Sequence, residues 1–188
     1  MGLAQPLPQD PYAALMALPA NMVGQIVHGV LHAHPRPATR HGLASSDLLS
    51  ELHSPFRRGR GGPGGWIFIN EEELHLDDHV LVPDISGWKI DRFPTTKSTP
   101  YSVVPPDWIC EVLSPSTAKL DRFTKRPIYA KHGVPHCWFL DPTDKTLEVF
   151  ILDDGAYTVG PTFVDNNPVT APPFEAHTFD LGLLWTTL

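Results

Sequence analysis

Short apolar runs, separated by turn residues, recur along this chain and predict a sheet with few helices. Five runs are strand-like: Gln25–Ala33, Trp66–Asn70, Val80–Gly87, Trp108–Leu113 and His136–Leu140. Two more, Leu147–Leu152 and Ala156–Val159, are joined by Asp153-Asp154-Gly155 and predict a β-hairpin. Leu74–Leu76 continues as a strand up to a turn at Asp77-Asp78.

Two longer segments have a helical pattern. One starts at Thr39 and should end before Pro55. The other follows Ser116, a candidate N-cap, is kinked by Pro127 and stops at Gly133. This order of elements predicts an α/β or α+β fold, in which helices pack on a sheet that ends in a C-terminal hairpin. We expect an N-terminal arm over residues 1–20, with a short helix at Tyr12–Leu18, and a single domain over 21–188.

Composition is typical of a globular protein: 41% of the 188 residues are hydrophobic and 19% are charged. No apolar run is long enough to span a membrane. A basic leader is absent at the start, and both cysteines lie in strand-like runs, so we expect a cytoplasmic protein with buried thiols. The net charge of −7 argues against non-specific coating of nucleic acid. A nuclease remains compatible with that charge, because a bound metal neutralises the phosphate locally.

Asp84 and Glu111 are carboxylates placed within or at the edge of strand-like runs. A buried charge is costly unless a partner or a metal compensates it, so the pair suggests a site for Mg²⁺ or Mn²⁺. Lys125, on the helix that follows Glu111, could orient a metal-activated water. Asp121 lies four residues before Lys125, and an ordinary solvent-facing ion pair is equally compatible with that spacing. Tyr129 extends the same helix face.

Other candidates carry weaker signals. Glu73, in the acidic run 71–73, is a candidate third metal ligand, although a solvated turn is the simpler interpretation. A basic cluster is either a solvated loop or a phosphate-contact surface; its residues are Arg36, Arg40, Arg57, Arg58 and Arg60. Three histidines in or just after the first predicted strand are four and two residues apart, which would place them on one strand face and leaves a zinc site open as a minor alternative; they are His28, His32 and His34.

Several of these motifs together resemble those of the Uma-two family, bacterial proteins described as restriction endonucleases within the PD-(D/E)xK nuclease superfamily. The motifs are Val82-Pro83-Asp84, the run from Pro106 to Thr117, Asp121-Arg122 with Lys125 and Tyr129, Gly133-Val134, and Trp138 to Pro142. The resemblance implies a restriction-endonuclease-like core, which is a mixed sheet flanked by helices, with Asp84 as the first motif acid and Glu111 as the second. Leu113 stands where the superfamily has its lysine, and the resemblance implies that Lys125 replaces that lysine from the helix.

The leading hypothesis is a Mg²⁺- or Mn²⁺-dependent endonuclease that hydrolyses phosphodiester bonds in DNA. The alternative is a catalytically inactive module of the same fold that binds nucleic acid or protein, which the net charge and Leu113 favour. A nuclease that cuts both strands is expected to be a homodimer, and the apolar Leu181–Trp185 segment is a candidate interface.

Overall fold

A computed structural model describes residues 10–93 and 99–185 of the chain. Residues 1–9, which belong to the predicted arm, residues 94–98 and the last three residues lie outside this description. The strands, in chain order, are β1 Met22–Val27, β2 Val30–Pro35, β3 Trp66–Asn70, β4 Glu73–Leu76, β5 His79–Leu81, β6 Ile85–Lys89, β7 Tyr101–Ser102, β8 Trp108–Val112, β9 His136–Asp141, β10 Thr146–Asp153, β11 Ala156–Val164, β12 Pro168–Val169 and β13 Phe179–Asp180. The α-helices are α1 Pro11–Met16, α2 Thr39–Leu52, α3 Ala118–Leu120 and α4 Arg126–Lys131.

Within the described residues these strands form two mixed sheets and a small ribbon of β12 with β13. The larger sheet has the order β11-β10-β9-β8-β6-β3, and its central pair, β8 and β9, is parallel. The smaller sheet has the order β2-β1-β5-β4-β7. The predicted mixed sheet flanked by helices is therefore confirmed, and so is the C-terminal hairpin of β10 and β11.

Two predicted strands are each divided in the structure. Gln25–Ala33 is a hairpin, because His28 and Gly29 both have positive φ, at 50° and 71°, and make a tight turn between β1 and β2. Val80–Gly87 is broken by Val82-Pro83-Asp84, so that β5 belongs to the smaller sheet and β6 to the larger one. Asp84 consequently lies where the chain passes between the sheets.

Both helical segments are also less regular than predicted. The α-helix ends at Leu52, before Pro55 as predicted, but the chain continues directly into a π-helical turn, His53–Arg57, which is closed by the Arg58 N–H donating to the His53 carbonyl. A second π-helical turn, Asp121–Lys125, joins α3 to α4, and Pro127 lies in the first turn of α4, where its missing N–H is tolerated. Thr117, rather than Ser116, occupies the N-cap position, and Gly133 follows the helix with a φ of 71°.

The two faces of β8 are buried against different layers. Trp108, Cys110 and Val112 pack with the apolar face of α2 and with the C-terminal segment. Ile109, like Leu113 just beyond the strand, packs with α4 and with the smaller sheet. Strand alternation thus assigns Glu111 to the α4 side, as its spacing predicted.

The C-terminal segment forms part of this core. Residues Leu181–Trp185 form a 3-10 helix, and Leu181, Leu184 and Trp185 are buried in the cluster that contains Trp108. The predicted use of this apolar segment as a dimer interface is therefore wrong for these three side chains, since they pack against their own chain. No helix within the described ranges has the length and apolar character needed to cross a membrane.

Candidate active site

A buried ion network lies at the carboxyl end of β8. The Lys125 ammonium is 2.7 Å from Oε1 of Glu111 and 3.0 Å from Oδ1 of Asp121. All three side chains are at most 4% exposed. The solvent-facing interpretation of Asp121 and Lys125 is therefore wrong, because the π-helical turn directs both side chains toward the strand.

Tyr129 completes the network from the next turn of the helix. Its hydroxyl donates to Oε1 of Glu111 at 2.6 Å, and the ring is fully buried. Burial raises the pKa of Glu111 to about 8, with the nearby carboxylates adding to the increase and the Lys125 ammonium opposing it. Burial alone would lower the pKa of Lys125, but Asp121 and Glu111 outweigh that effect and raise it. Lys125 is thus held as an ammonium by two acids.

Asp84 is fixed from the other side of the strand end. Its Oδ2 accepts the Val112 N–H at 2.7 Å, and its Oδ1 is 3.2 Å from Nε2 of His41 on α2. Burial would lower the pKa of His41, but the hydrogen bond and the charge of Asp84 outweigh burial, and the pKa is raised. The first motif acid is therefore anchored to the strand that carries the second.

Asp84, Glu111 and Lys125 line one cleft, with a volume of about 280 Å³. Asp121 and His41 also line it. Four carboxylates line the cleft in total, from Glu71, Asp84, Glu111 and Asp121, together with the Lys125 ammonium, the Arg36 guanidinium and the imidazoles of His34 and His41. This excess of oxygen donors and negative charge suits a divalent cation, and Mg²⁺ needs only one or two carboxylates because it keeps several waters. Within the described part of the chain, no three His, Cys, Asp or Glu side chains already surround a common metal position.

Glu73 is not among the residues that line the cleft. Its Oε1 accepts hydrogen bonds from the Tyr12 hydroxyl at 3.0 Å and pairs with Nε2 of His75 at 2.6 Å, which fixes α1 against β4. From the same acidic run, it is Glu71 that reaches the cleft wall, where its φ of 49° marks a turn.

The predicted basic cluster is divided in the structure. Arg36 lines the cleft and is held by a hydrogen bond from Nε to the Ala20 carbonyl at 2.9 Å. Arg40 is exposed near the start of α2, whereas Arg57, Arg58 and Arg60 are exposed around the end of the π-helical turn and in the glycine-rich loop. These four arginines are not among the cleft-lining residues.

The three histidines of the zinc interpretation do not share one strand face. His28 lies in the tight turn, while His32 and His34 lie on β2 opposite Gln25 and Val23. The interpretation fails because it treated a hairpin as one continuous strand. His34 nevertheless lines the cleft, and its Nδ1 lies 2.9 Å from the Pro35 carbonyl.

His41 and Gln25 are the cleft residues that the sequence did not indicate. His41 shares the buried face of α2 with Ala44, Leu48 and Leu52, so a polar ring in an apolar helical pattern was the available signal. Gln25 is 4% exposed, and its Oε1 accepts the Val82 N–H at 2.9 Å. It braces the segment that ends in Asp84.

Comparisons with known proteins identify the fold and the family of this chain. A crystal structure of a putative nuclease belonging to DUF820 from Anabaena variabilis ATCC 29413 superposes with a TM-score of 0.73 at 22% identity. The superposition covers 93% of this chain and 96% of that chain, and it shows a shared fold. A search of curated proteins found no match. The model of the Uma2 family, described as putative restriction endonuclease, matches residues 17–183. The chain belongs to the Uma2 family.

Proposed function

We propose that this protein is a cytoplasmic, metal-dependent endonuclease that hydrolyses phosphodiester bonds in DNA, with Mg²⁺ or Mn²⁺ as cofactor. The observation that carries the proposal is the position of the Lys125 ammonium, 2.7 Å from Glu111 in a cleft that Asp84 also lines. A helix thereby supplies the lysine that is missing at Leu113. Family membership and the nuclease-like fold support the same class of activity.

Asp84 and Glu111 are the residues that would hold the cation. When bound, the cation polarises the scissile phosphate and lowers the pKa of a coordinated water. Lys125 orients the attacking water and offsets the negative charge that develops on the phosphate. Asp121 and Tyr129 hold these two side chains in position, because Asp121 contacts the Lys125 ammonium and the Tyr129 hydroxyl donates to Glu111.

DNA is the proposed substrate, and the cleft would receive one strand of it. Arg36 at the cleft is suited to a phosphate contact. The four exposed arginines are proposed as further phosphate contacts; they are Arg40, Arg57, Arg58 and Arg60. We propose a homodimer, because two sites are needed to cut both strands in one binding event.

The direct test is a cleavage assay on supercoiled and linear DNA with Mg²⁺ or Mn²⁺, and with EDTA as the metal-free reference. We expect cutting that depends on metal and falls by at least about 10²-fold in Asp84→Ala, as for the loss of one electrostatic group in other enzymes. Asp78→Ala is the matched control, since the Asp78 side chain is 68% exposed. Cutting that persists in Asp84→Ala, or no cutting of any DNA, contradicts the proposal.

The alternative is a module that binds nucleic acid or protein without cutting. Leu113 favours it, because this residue is 3% exposed and packed in the core, where it leaves the usual lysine position apolar. Calorimetric titration with Mg²⁺ and Mn²⁺ separates the two proposals. Binding at millimolar metal that is lost in Asp84→Ala favours the enzyme, whereas no heat of binding favours the module.

A further inference from the structure

We propose that the π-helical turn Asp121–Lys125 has a second binding face, on which the exposed Phe123 ring stacks against one unpaired base of the substrate strand. The inference deepens the proposed function, on which it rests, because it names the form of DNA that the protein takes. That form is a strand with an unpaired base near the cut phosphate, either single-stranded DNA or a duplex that is opened locally.

The binding face belongs to a pocket separate from the cleft, called here the outer pocket. Its volume is about 460 Å³. The helical segment contributes Phe123, Thr124, Pro127 and Ile128 to its wall, while His28 from the β1–β2 turn and His79 from the start of β5 lie opposite. These six residues do not line the cleft. The outer pocket thus combines apolar and aromatic side chains with polar groups, as a base combines a π-face with a polar edge.

Phe123 is the residue of this pocket that packing does not explain. It is 72% exposed, whereas the side chains of Asp121 and Lys125 in the same turn are at most 4% exposed. A large aromatic ring left in water gives up the stabilisation that its burial would supply. Exposed aromatic rings are the platforms on which unpaired bases stack in proteins that bind single strands.

The shared turn places the outer pocket a short length of strand away from the cleft. Phe123 lies two residues from both Asp121 and Lys125, which line the cleft. A helix with its side chains is about 10–12 Å across. A DNA strand covers that distance in about three nucleotides, because its stacked phosphates follow one another at about 3.4 Å. A strand with one phosphate in the cleft therefore reaches Phe123 with a nearby base.

The charges of the helical segment suit the backbone of such a strand. In a chain with a net charge of −7, residues 118–131 contain five basic residues and one acid. Lys131 lines the outer pocket, and its pair with Asp77 at 3.0 Å is exposed. Exposed pairs contribute little free energy, so this ammonium can turn to a phosphate at small cost.

The opposite wall of the outer pocket is preorganised. His79 is 3% exposed, and its Nδ1 accepts the His28 N–H at 3.1 Å. The proton of the neutral ring is therefore on Nε2, which lies 3.4 Å from Oδ1 of Asp78. These contacts fix the imidazole and occupy the carboxylate at the pocket rim.

Burial of the catalytic groups favours the same form of DNA. The Glu111 and Lys125 side chains are 2% and 1% exposed, so a phosphate has to enter the cleft to meet them. A strand separated from its partner enters without moving the whole duplex. The cost of unpairing is lowest where a base is already unpaired.

The test is fluorescence anisotropy of one labelled oligonucleotide, as a single strand and as a duplex, with the full-length protein in EDTA. We expect the single strand to bind at least about tenfold more tightly, because the duplex has to be opened. Phe123→Ala should weaken single-strand binding by about 5- to 150-fold, the range for the loss of one base–aromatic stack. Phe123→Tyr should keep the wild-type affinity, since it keeps the ring.

Val159→Ala is the matched control, because Val159 is an apolar residue on β11 with an exposure of 71%. It should bind the single strand as the wild type does. Equal binding of duplex and single strand, no binding of either, or a Phe123→Ala protein that binds like the control overturns the stacking site. Metal-dependent cutting that is lost in Asp84→Ala would then still support the proposed function. Single-strand binding that depends on Phe123, with no cutting of any DNA, supports the stacking site and overturns the nuclease.

Discussion

At the scale of single residues, Lys125 is the group on which the site depends most. Its ammonium lies 2.7 Å from Glu111 and 3.0 Å from Asp121, and all three side chains are almost completely buried. Removing one member of such a group leaves uncompensated buried charge. The same side chain therefore serves both the stability of the strand end and the proposed chemistry.

We predict that Lys125→Met lowers the free energy of unfolding by about 3–5 kcal/mol, the range for a broken buried ion pair. Lys131→Met is the control, because the Lys131–Asp77 pair is exposed and its loss should change little. Urea denaturation at neutral pH measures both variants. A Lys125→Met protein as stable as the control would contradict the buried network.

Glu111 leads to a prediction about pH. Burial raises its pKa from 4.5 to about 8, so the folded protein holds a proton that the unfolded chain has released between those values. The stability contributed by this group is therefore complete below pH 4.5 and is lost as the pH rises to about 8. Relative to Glu111→Gln, wild-type protein without metal should become less stable across this window.

Urea midpoints measured from pH 5 to pH 9 in the presence of EDTA test this expectation. Glu175→Gln is the control, because Glu175 is exposed and its removal should leave the wild-type slope intact. Metal affinity should rise over the same window, because the cation displaces the proton. A stability difference between wild type and Glu111→Gln that does not change with pH would contradict the raised pKa.

At the scale of elements, sequence periodicity correctly predicted which face of β8 each residue occupies. The alternation in Trp108–Leu113 correctly assigned Glu111 and Ile109 to one face. It was unreliable where an apolar run continues through a turn. In both divided strands, positive φ angles or a proline break interrupt a hydrophobic pattern that would also fit a continuous strand.

The C-terminal segment is a second case at this scale. Phe174 lies between β12 and β13, and its ring is 4.7 Å from Phe56, 4.9 Å from Trp66 and 5.1 Å from Trp108, centroid to centroid. This stretch contains Pro168, Pro172 and Pro173 and has no hydrophobic periodicity. In the structure this stretch inserts the Phe174 ring between side chains of the π-helical turn after α2, of β3 and of β8.

We predict that Phe174→Ala destabilises the protein by about 3–5 kcal/mol, as expected for a large buried aromatic ring. Phe123→Ala is the control, because the Phe123 side chain is 72% exposed. Thermal and urea unfolding of both variants provide the measurement. Equal stabilities would mean that the C-terminal segment does not close the core.

At the scale of the whole molecule, association remains a prediction. Cutting both DNA strands in one encounter favours two copies, while burial of Leu181, Leu184 and Trp185 makes these three side chains unavailable to the interface first expected. We expect light scattering coupled to gel filtration, run without DNA and with bound DNA, to give the mass of two protein chains when DNA is bound. A monomer mass under both conditions would contradict the dimer and leave single-strand nicking as the simpler mode.

The sequence by itself determined which residues could carry the chemistry and on which local elements they lie. Two acids near apolar strands and a lysine on the following helix follow from residue type and periodicity, because both are properties of short segments. The sequence left open whether Lys125 faced solvent or the site.

Only the tertiary structure decided that Lys125 meets Glu111 and that Asp84 meets His41. Each of these contacts joins residues from separate elements. The distances between them depend on how α2, β8 and the helical segment 118–131 pack together. Packing of this kind is set by the shape of the whole core, in which residues far apart in the chain are neighbours. A short window of sequence does not contain that information.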